Sequence, residues 1–280
     1  MSHDTDDRLP FPPKGPVKPP TDMALGDWTL PQRLLVIAGA LCIAATWAYL
    51  VLVRPSSWDS VGGSTEAIIT LCGYGLGTVL LLAATLPMLP ARTLGLIPLA
   101  ILINSVVGQI VGSIGLPLYL DTIGTVLVAA LAGPIAGLTT GALNNVVWGL
   151  LNPVALPFAA GSALVGYLAG VFIHRLHALH SIFTVVGYGM LLGLVGGAVA
   201  APVAAFVFGG TAGVGTGALV SLFREMGGSL IASVTTQAFL SDPLDKVIVL
   251  AIAYVTVRAL PRKTVQAFAP RRKAHSAQRD

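Results

Sequence analysis

Residues 104–152, NSVVGQIVGSIGLPLYLDTIGTVLVAALAGPIAGLTTGALNNVVWGLLN, decide how this chain folds. The stretch is apolar enough to lie in lipid, yet polar side chains recur along it. They are Asn104, Gln109, Tyr119, Asp121, Thr122, Asn144, Asn145 and Asn152. A polar side chain in hydrocarbon costs free energy unless it faces a partner, a cavity or a ligand. We therefore expect a binding site within this stretch.

The composition of the whole chain is that of a membrane protein. Of the 280 residues, 55% are hydrophobic and only 10% are charged, and the mean hydropathy is +0.83. Soluble domains carry about 25% charged residues. Apolar runs close to the ~20 residues that a helix needs to cross a bilayer recur along the chain. The sequence predicts an all-α polytopic integral membrane protein.

The N-terminal part divides into a tail and two spans. Residues 1–30 are rich in proline and charged residues and cannot bury a core, so we expect a disordered cytoplasmic tail. The apolar runs 34–53 and 67–89 predict two transmembrane helices within the unit 31–92.

Between residues 93 and 261 the apolar runs become shorter and are broken by glycine and proline. They predict six helices, at 96–114, 120–131, 135–151, 156–173, 183–208 and 244–260. The run 218–237 has the length of a span but carries Arg224 and Glu225. We interpret it as a re-entrant or surface helix before the last span.

The lysine and arginine residues near the span ends predict the topology, because such residues accumulate on the cytoplasmic side. If 218–237 does not cross, there are eight spans and both termini are cytoplasmic. Most basic residues then lie inside, and Arg54, Arg224 and Lys246 lie outside. We expect a multi-pass protein of the cell (plasma) membrane. Residues 262–280 form a basic cytoplasmic tail that faces lipid head groups, and we expect no nucleic-acid partner.

Motifs of enzymes and metal sites are absent from the sequence. The glycine runs at 73–77 and 209–217 lack the lysine of a Walker A motif, and no Gly-x-Ser-x-Gly or His-Glu-x-x-His pattern occurs. We therefore expect no enzymatic activity and no cofactor. His174, His177 and His180 lie at a polar turn without a nearby carboxylate or cysteine, so we expect no metal site.

Asp121 begins a short predicted helix, and three roles are open to it. Unpaired amides and the helix dipole favour a carboxylate at this position, so it could cap the helix. Alternatively it pairs with Lys246, which opens the last span on the same side, or it contacts a ligand. We expect Tyr119 at the rim, and Asp121, Arg224 and Lys246 around the outer mouth of a pocket.

Asn144, Asn145 and Trp148 lie within about one helical turn. An amide and an aromatic ring on one face suit a planar small molecule that forms hydrogen bonds. The alternative role of the asparagines is hydrogen bonding between helices. We expect these three residues, with the deeper Asn104, to contact the ligand between the helices 96–114, 135–151 and 244–260.

Small residues four positions apart let membrane helices approach closely. Such pairs occur at Gly108 and Gly112, at Gly137 and Gly141, and at Gly193 and Gly197. We expect internal packing for most of them. One pair is a candidate docking face for a partner membrane subunit.

Three pieces of sequence occur in a recognisable order. Asn104 is followed by GLPLYLDTIGT at 115–125, then by Gly133-Pro134 with Gly137, Gly141 and Asn144, and finally by DPLDK at 242–246. Together, residues 95–260 resemble the substrate-binding (S) components of energy-coupling factor (ECF) transporters, a type of ABC transporter.

The resemblance implies a six-helix bundle that captures a vitamin or another small ring-containing micronutrient, nucleoside-like solutes included. Such a bundle docks onto a transmembrane coupling subunit that two cytoplasmic ATPase subunits drive. The missing Walker A motif is then expected. Two features depart from the six-helix plan: the two spans before Gly95, and the segment 209–242, which would form a lid.

Two other functions remain open. Segments similar to LPLYLDTIGT also occur in membrane sensor domains, so the chain could sense a ligand or anchor a partner without transport. Such a protein needs a cytoplasmic output domain, and the residues from Arg262 onward are few. A stand-alone secondary carrier is the third possibility, although carriers usually show repeated halves and no internal repeat is evident.

Overall fold

A computed structural model describes residues 28–55, 58 and 63–270. Every regular element in these ranges is a helix, and they contain no strand. The α-helices are α1 Leu30–Val53, α2 Thr65–Thr85, α3 Ala91–Ser113, α4 Ile123–Ala132, α5 Pro134–Gly149, α6 Ala159–His174, α7 Ile182–Phe206, α8 Val214–Glu225, α9 Leu230–Ala259 and α10 Arg262–Phe268. The predictions for the tail 1–30 before Trp28, and for the tail 262–280 after residue 270, lie outside the described residues.

Five helical segments are long and apolar enough to cross a membrane. They are Leu30–Val53, Thr65–Met88, Ala91–Ser113, Pro153–His174 and Ile182–Phe206. Large apolar side chains such as Leu41, Leu102 and Phe183 are exposed on their outer faces. An all-helical chain with these outward apolar faces is consistent with a multi-pass membrane protein, as the composition predicts.

The breaks between helices fall where glycine and proline predict them. Gly115 follows α3 at φ 75°, and Gly133 at φ 92° separates α4 from α5. A glycine adopts such a φ at no steric cost, and Pro134 supplies the fixed φ that suits the first residue of α5. The chain therefore reverses between α4 and α5 without a loop.

The last part of the chain differs from its predicted boundaries. The run 218–237 is divided between two helices, since α8 ends at Glu225 and α9 begins at Leu230 after Gly227 at φ 94°. The predicted start of the last span at residue 244, directly after Pro243, is wrong, because α9 begins at Leu230 and Pro243 lies inside it. A proline is tolerated within a membrane helix where a neighbouring helix compensates. Here the α7 backbone packs directly against Pro243, where a Cβ on Gly193 would lie 2.4 Å from its Cα.

α4 forms the centre of the bundle. Nine of its ten residues are buried, and it packs against α3, α5, α6 and α9. Two of the three glycine pairs pack internally, since Gly137 lies against Gly166 of α6 and Gly193 lies against α9, whereas Gly112 of the third pair faces open space. These contacts let backbones approach to distances that any side chain would prevent.

The hairpin of α1 and α2 packs on one side of this bundle, against α5. Three aromatic side chains of the hairpin donate hydrogen bonds to backbone carbonyls of the bundle. They are Trp47 to Val199 at 3.0 Å, Trp58 to Pro153 at 2.9 Å, and Tyr74 to Pro157 at 3.3 Å. The two helices that the six-helix plan lacks are therefore an integral part of the packed core.

Candidate functional site

A cavity of about 620 Å³ lies at one end of the bundle. The C-terminal halves of α3, α5 and α7 and the N-terminal half of α9 form its walls. α8 covers part of it with Val214, Gly217 and Ser221. This is the end that the topology prediction assigns to the outer side of the membrane.

Seven of the eight predicted site residues line this cavity. They are Asn104, Tyr119, Asp121, Asn144, Asn145, Trp148 and Lys246. Arg224 does not line it, and its side chain is exposed near the end of α8. The structure thus brings together residues that are up to 142 positions apart in the sequence, counted from Asn104 to Lys246.

Two further polar residues of the lining, Gln237 and Asp242, were not predicted. Both are buried and lie on α9. The sequence did carry a signal for them, because polar side chains within a long apolar helix indicate an internal site. The predicted helix 244–260 missed this signal, because it left both residues outside the last span.

The asparagines form a continuous hydrogen-bonded chain through the wall of the cavity. The Gly124 amide donates to Asn104 Oδ1 at 2.7 Å, and Asn104 Nδ2 donates to Asn144 Oδ1 at 3.2 Å. Asn144 Nδ2 donates to Asn145 Oδ1 at 3.0 Å, and Asn145 Nδ2 donates to the Ala155 carbonyl at 2.8 Å. This chain ties α3, α4, α5 and the turn before α6 together.

The hydrogen bonds of this chain determine how many N–H groups of the asparagines remain available to a ligand. Asn104 also donates to Thr125 Oγ1 at 2.9 Å, so both of its N–H groups are used, and it is 0% exposed. Asn144 and Asn145 are each 3% exposed and each keep one N–H free. The alternative role, hydrogen bonding between helices, therefore describes Asn104, while Asn144 and Asn145 keep a limited capacity for a solute.

Asp245 fixes the loop that carries Tyr119 and Asp121. Its Oδ1 accepts hydrogen bonds from the amides of Tyr119 at 2.9 Å and Leu120 at 2.7 Å. Leu120 has a φ of 50°, a left-handed conformation that costs a non-glycine residue about 1–2 kcal/mol. The charged acceptor offsets this cost, so a helix residue from the far end of the sequence sets the shape of the rim.

Lys246 forms an ion pair with its neighbour Asp245 rather than with Asp121. The ion pair between Asp121 and Lys246, one of the three roles open to Asp121, is therefore not formed, although the two groups are close enough to interact electrostatically. Asp121 also does not cap α4, because no side-chain cap bond is present at the start of that helix. Two of its three possible roles thus lose support, and the Asp121 side chain lines the cavity.

Burial changes the ionisation of the rim. It raises the pKa of Asp121, and the ammonium group of Lys246 partly opposes that effect. It also raises the pKa of Tyr119, and the negative charge of Asp242 adds to the effect. The Tyr119 phenol therefore stays protonated near neutral pH and can donate a hydrogen bond into the cavity.

The loop after α3 and the start of α8 meet in close backbone contact over the cavity. A Cβ on Gly215 would lie 2.4 Å from the carbonyl oxygens of Gly115 and Leu116. On either side of α8, Gly210 and Gly227 have φ values of 86° and 94°. These glycines provide the backbone freedom that a lid requires, whereas residues 230–242 of the predicted lid belong to the long helix α9.

A second, apolar cavity of about 390 Å³ lies between α1 and the helices α5 and α6. Trp47 and Val199 line both cavities, so the two cavities adjoin at these residues. Pro202 lies inside α7 and has no amide hydrogen to donate to the Ala198 carbonyl. In the same turn of α7, the Val199 carbonyl accepts a hydrogen bond from the Trp47 indole. The α1–α2 hairpin thereby supplies part of the wall of the polar cavity.

The histidines at the opposite end do not form a site. His177 and His180 are exposed, and His174 Nε2 lies 2.9 Å from the Ala129 carbonyl at the end of α4. Among the described residues, no group of three or more His, Cys, Asp or Glu side chains is arranged to hold a metal ion. Comparisons with protein-family models, curated proteins and solved structures give no match to this chain.

Proposed function

We propose that this protein is the solute-capture subunit of a membrane transporter of the ECF type. It binds a small ring-containing micronutrient, such as a vitamin or a nucleoside-like compound, in the cavity at one end of the bundle. A separate transmembrane coupling subunit and two cytoplasmic ATPase subunits supply the energy. The absence of a Walker A motif from the full sequence fits this division of labour.

One observation carries the proposal: a polar cavity in an otherwise apolar helical bundle. Its volume of about 620 Å³ is within the range of about 300–1,000 Å³ that small-molecule sites occupy. Its lining combines aromatic rings, such as Trp148 and Tyr119, with amide and carboxylate groups. That combination suits a flat ring with several hydrogen-bonding groups.

The packing beneath the cavity also supports a capture role. The chain of asparagines and the Asp245 contacts hold the wall and rim in place before any solute arrives, which lowers the entropy lost on binding. α8 is a short helix between glycines with positive φ, and it covers the cavity from outside. A fixed cavity wall beneath a short helix that glycines flank fits the capture and release of a solute.

The proposal is tested by thermal unfolding of the purified protein in detergent with a panel of vitamins, nucleosides and nucleobases. A solute that binds only the folded state raises the unfolding temperature. Gly161 lines the cavity and has open space where a Cβ would lie, so Gly161→Phe fills the cavity without a clash at its Cβ. Gly75, on α2, also has open space and lies away from the cavity, so Gly75→Phe is the matched control.

We expect at least one solute to stabilise the wild type and Gly75→Phe but not Gly161→Phe. A panel that stabilises none of the three proteins, or that stabilises Gly161→Phe equally, contradicts the proposal. Uptake of the stabilising solute into liposomes by this chain alone, without any ATPase, would instead support a secondary carrier.

A further inference from the structure

The charges around the cavity do not balance within the described part of the chain. The charged residues of the lining are Asp121, Asp242 and Lys246, and Asp245 lies directly behind them. The four groups interact electrostatically with one another. Three carboxyl groups therefore share a single ammonium group.

That ammonium group is already committed. Lys246 is 6% exposed and pairs with Asp245, which is 0% exposed. Asp245 in turn accepts two backbone amides of the rim loop. Buried ion pairs are stable only when hydrogen bonds satisfy their remaining groups, and Asp245 meets that condition. Its charge and that of Lys246 cancel each other.

Asp121 and Asp242 are left without a cation of their own. No Lys, Arg or His side chain in the described residues lies within salt-bridge distance of either carboxyl group. Asp242 is 6% exposed, and its Oδ1 accepts only a long hydrogen bond of 3.3 Å from Ser241. Its Oδ2 accepts none from the described residues, and it lies beside Gly197 at the wall of the cavity. A carboxylate in this position is stabilised by a cation that the protein does not supply, and without that cation the protonated form is favoured.

Thr122 provides a second, independent sign of an absent ligand. It is 2% exposed and lines the same cavity next to Asp121, and its hydroxyl group has no hydrogen-bond partner. Buried hydroxyl groups nearly always find a partner in folded proteins. The Thr122 oxygen can accept a hydrogen bond from an ammonium, amidinium or ring N–H group.

The shape of the site favours an organic cation over a metal ion. A bare ion would occupy a small part of a cavity of about 620 Å³, and the described acidic and histidine side chains form no metal-binding group. The rings of Trp148 and Tyr119 line the same cavity as the carboxyl groups, and the charges of Asp242 and Asp121 act on the Tyr119 phenol. Aromatic faces attract organic cations through their quadrupoles.

We propose that the captured solute carries a positive charge, which the carboxyl groups of Asp121 and Asp242 balance within the cavity. This inference rests on the proposed function and narrows its substrate class to ring compounds with a protonated amine, amidine or ring nitrogen, or with a quaternary nitrogen. The unpartnered Thr122 hydroxyl then receives an N–H of the same solute where one is present.

Three nitroxides that share one ring and are similar in size test this inference: 4-amino-TEMPO is cationic, 4-hydroxy-TEMPO is neutral and 4-carboxy-TEMPO is anionic. Each quenches tryptophan fluorescence on contact. The difference between the wild type and Trp148→Phe isolates quenching at Trp148, which lies in the cavity wall. We expect the cation to quench Trp148 about tenfold more strongly than the neutral probe, equivalent to about 1.4 kcal/mol, and the anion to quench least.

The outcome rests on the wild type and Trp148→Phe, and neither protein changes a carboxyl group of the cavity. The double variant Asp121→Asn/Asp242→Asn, which keeps the shape of both side chains, should lose the preference for the cation. Equal quenching by the three probes, or a preference for the anion, overturns the inference.

The two proposals can fail separately. A neutral or anionic solute that binds the wild type saturably and is blocked by Gly161→Phe overturns the charge inference while the capture function stands. If none of the three probes reaches Trp148, the cavity is closed to solutes and both proposals fall.

Discussion

Asp245 on α9 holds Leu120 in a left-handed conformation by accepting its amide hydrogen at 2.7 Å. The two residues are 125 positions apart in the sequence. The contact joins the rim loop to the last long helix, so the shape of the cavity mouth depends on both. Lys246 completes the arrangement by neutralising Asp245.

Removal of the Asp245 charge should destabilise the fold. Asp245→Asn keeps an oxygen for the rim amides but leaves the buried Lys246 without its paired carboxylate. We expect the free energy of unfolding to fall by less than the ~3–5 kcal/mol of an isolated buried charge, because Asp121 and Asp242 still interact with Lys246. The double variant Asp245→Asn/Lys246→Met removes the stranded charge and should recover much of that loss. Denaturant unfolding in detergent measures the free energy of unfolding of both variants. If the single and the double variant lose the same amount of stability, the loss does not come from the broken ion pair.

The asparagine chain should act on stability through Asn104. Asn104→Ala leaves the Gly124 amide and the Asn144 carbonyl oxygen without their partner, and each buried unsatisfied group costs about 1–3 kcal/mol. Gln109→Ala is the control on the same helix, because Gln109 is exposed and also lines the cavity. We expect Gln109→Ala to change stability by less than about 0.5 kcal/mol. If Asn104→Ala and Gln109→Ala lower the unfolding temperature equally, the structural role of Asn104 is contradicted.

Substitution by alanine should have different effects on stability at two glycines of α7. A Cβ on Gly193 would lie 2.3 Å from the Asp242 carbonyl oxygen, so Gly193→Ala must separate α7 from α9 and lower the unfolding temperature. Gly187 has no atom within 4 Å of the same position, and Gly187→Ala should be neutral or stabilising by up to about 1 kcal/mol. Thermal unfolding of both variants checks this, and a tolerated Gly193→Ala would refute the close helix contact.

Binding of a cationic solute should weaken as the pH falls. Burial raises the pKa of Asp121, and the groups that face it are Tyr119, Asp242, Asp245 and Lys246. A bound cation favours the ionised carboxylate, so binding releases protons and the affinity rises with pH until the carboxyl group is ionised in the empty protein.

Titration calorimetry with 4-amino-TEMPO, in buffers of different ionisation enthalpy, counts the released protons. Asp121→Asn should release fewer protons than the wild type. An affinity that increases toward acidic pH would contradict the assigned role of Asp121.

Trp47 and Trp58 offer a test of the hairpin's role. Each loses one indole hydrogen bond to the bundle when it is replaced by phenylalanine, so both variants should lose about 0.5–1.5 kcal/mol of stability. Only Trp47 lines the polar cavity, so only Trp47→Phe should change the quenching of Trp148 by 4-amino-TEMPO. If Trp58→Phe changes the quenching equally, the effect comes from looser docking of the hairpin rather than from the cavity wall.

The sequence by itself determined the class of the molecule and most of its helices. Apolar runs of sufficient length predict helices, because in lipid every backbone amide must find a partner within its own segment. Glycine and proline mark the breaks at Gly115 and Gly133 because their backbone preferences are local properties. The polar residues of 104–152 indicated a site for the same reason, since a polar side chain in an apolar segment has a cost wherever it lies.

Only the tertiary structure decided which partner each of those polar groups has. Lys246 pairs with Asp245 rather than with Asp121. Asn104 donates both of its N–H groups to side chains of neighbouring helices. Pro243 lies inside α9 with Gly193 of α7 packed against it, although the local preference of a proline is to end a helix. Because α9 runs through Pro243, Asp242 lies within a helix and lines the cavity. Partner choice depends on distances between segments far apart in the chain, and no local pattern of residues encodes those distances.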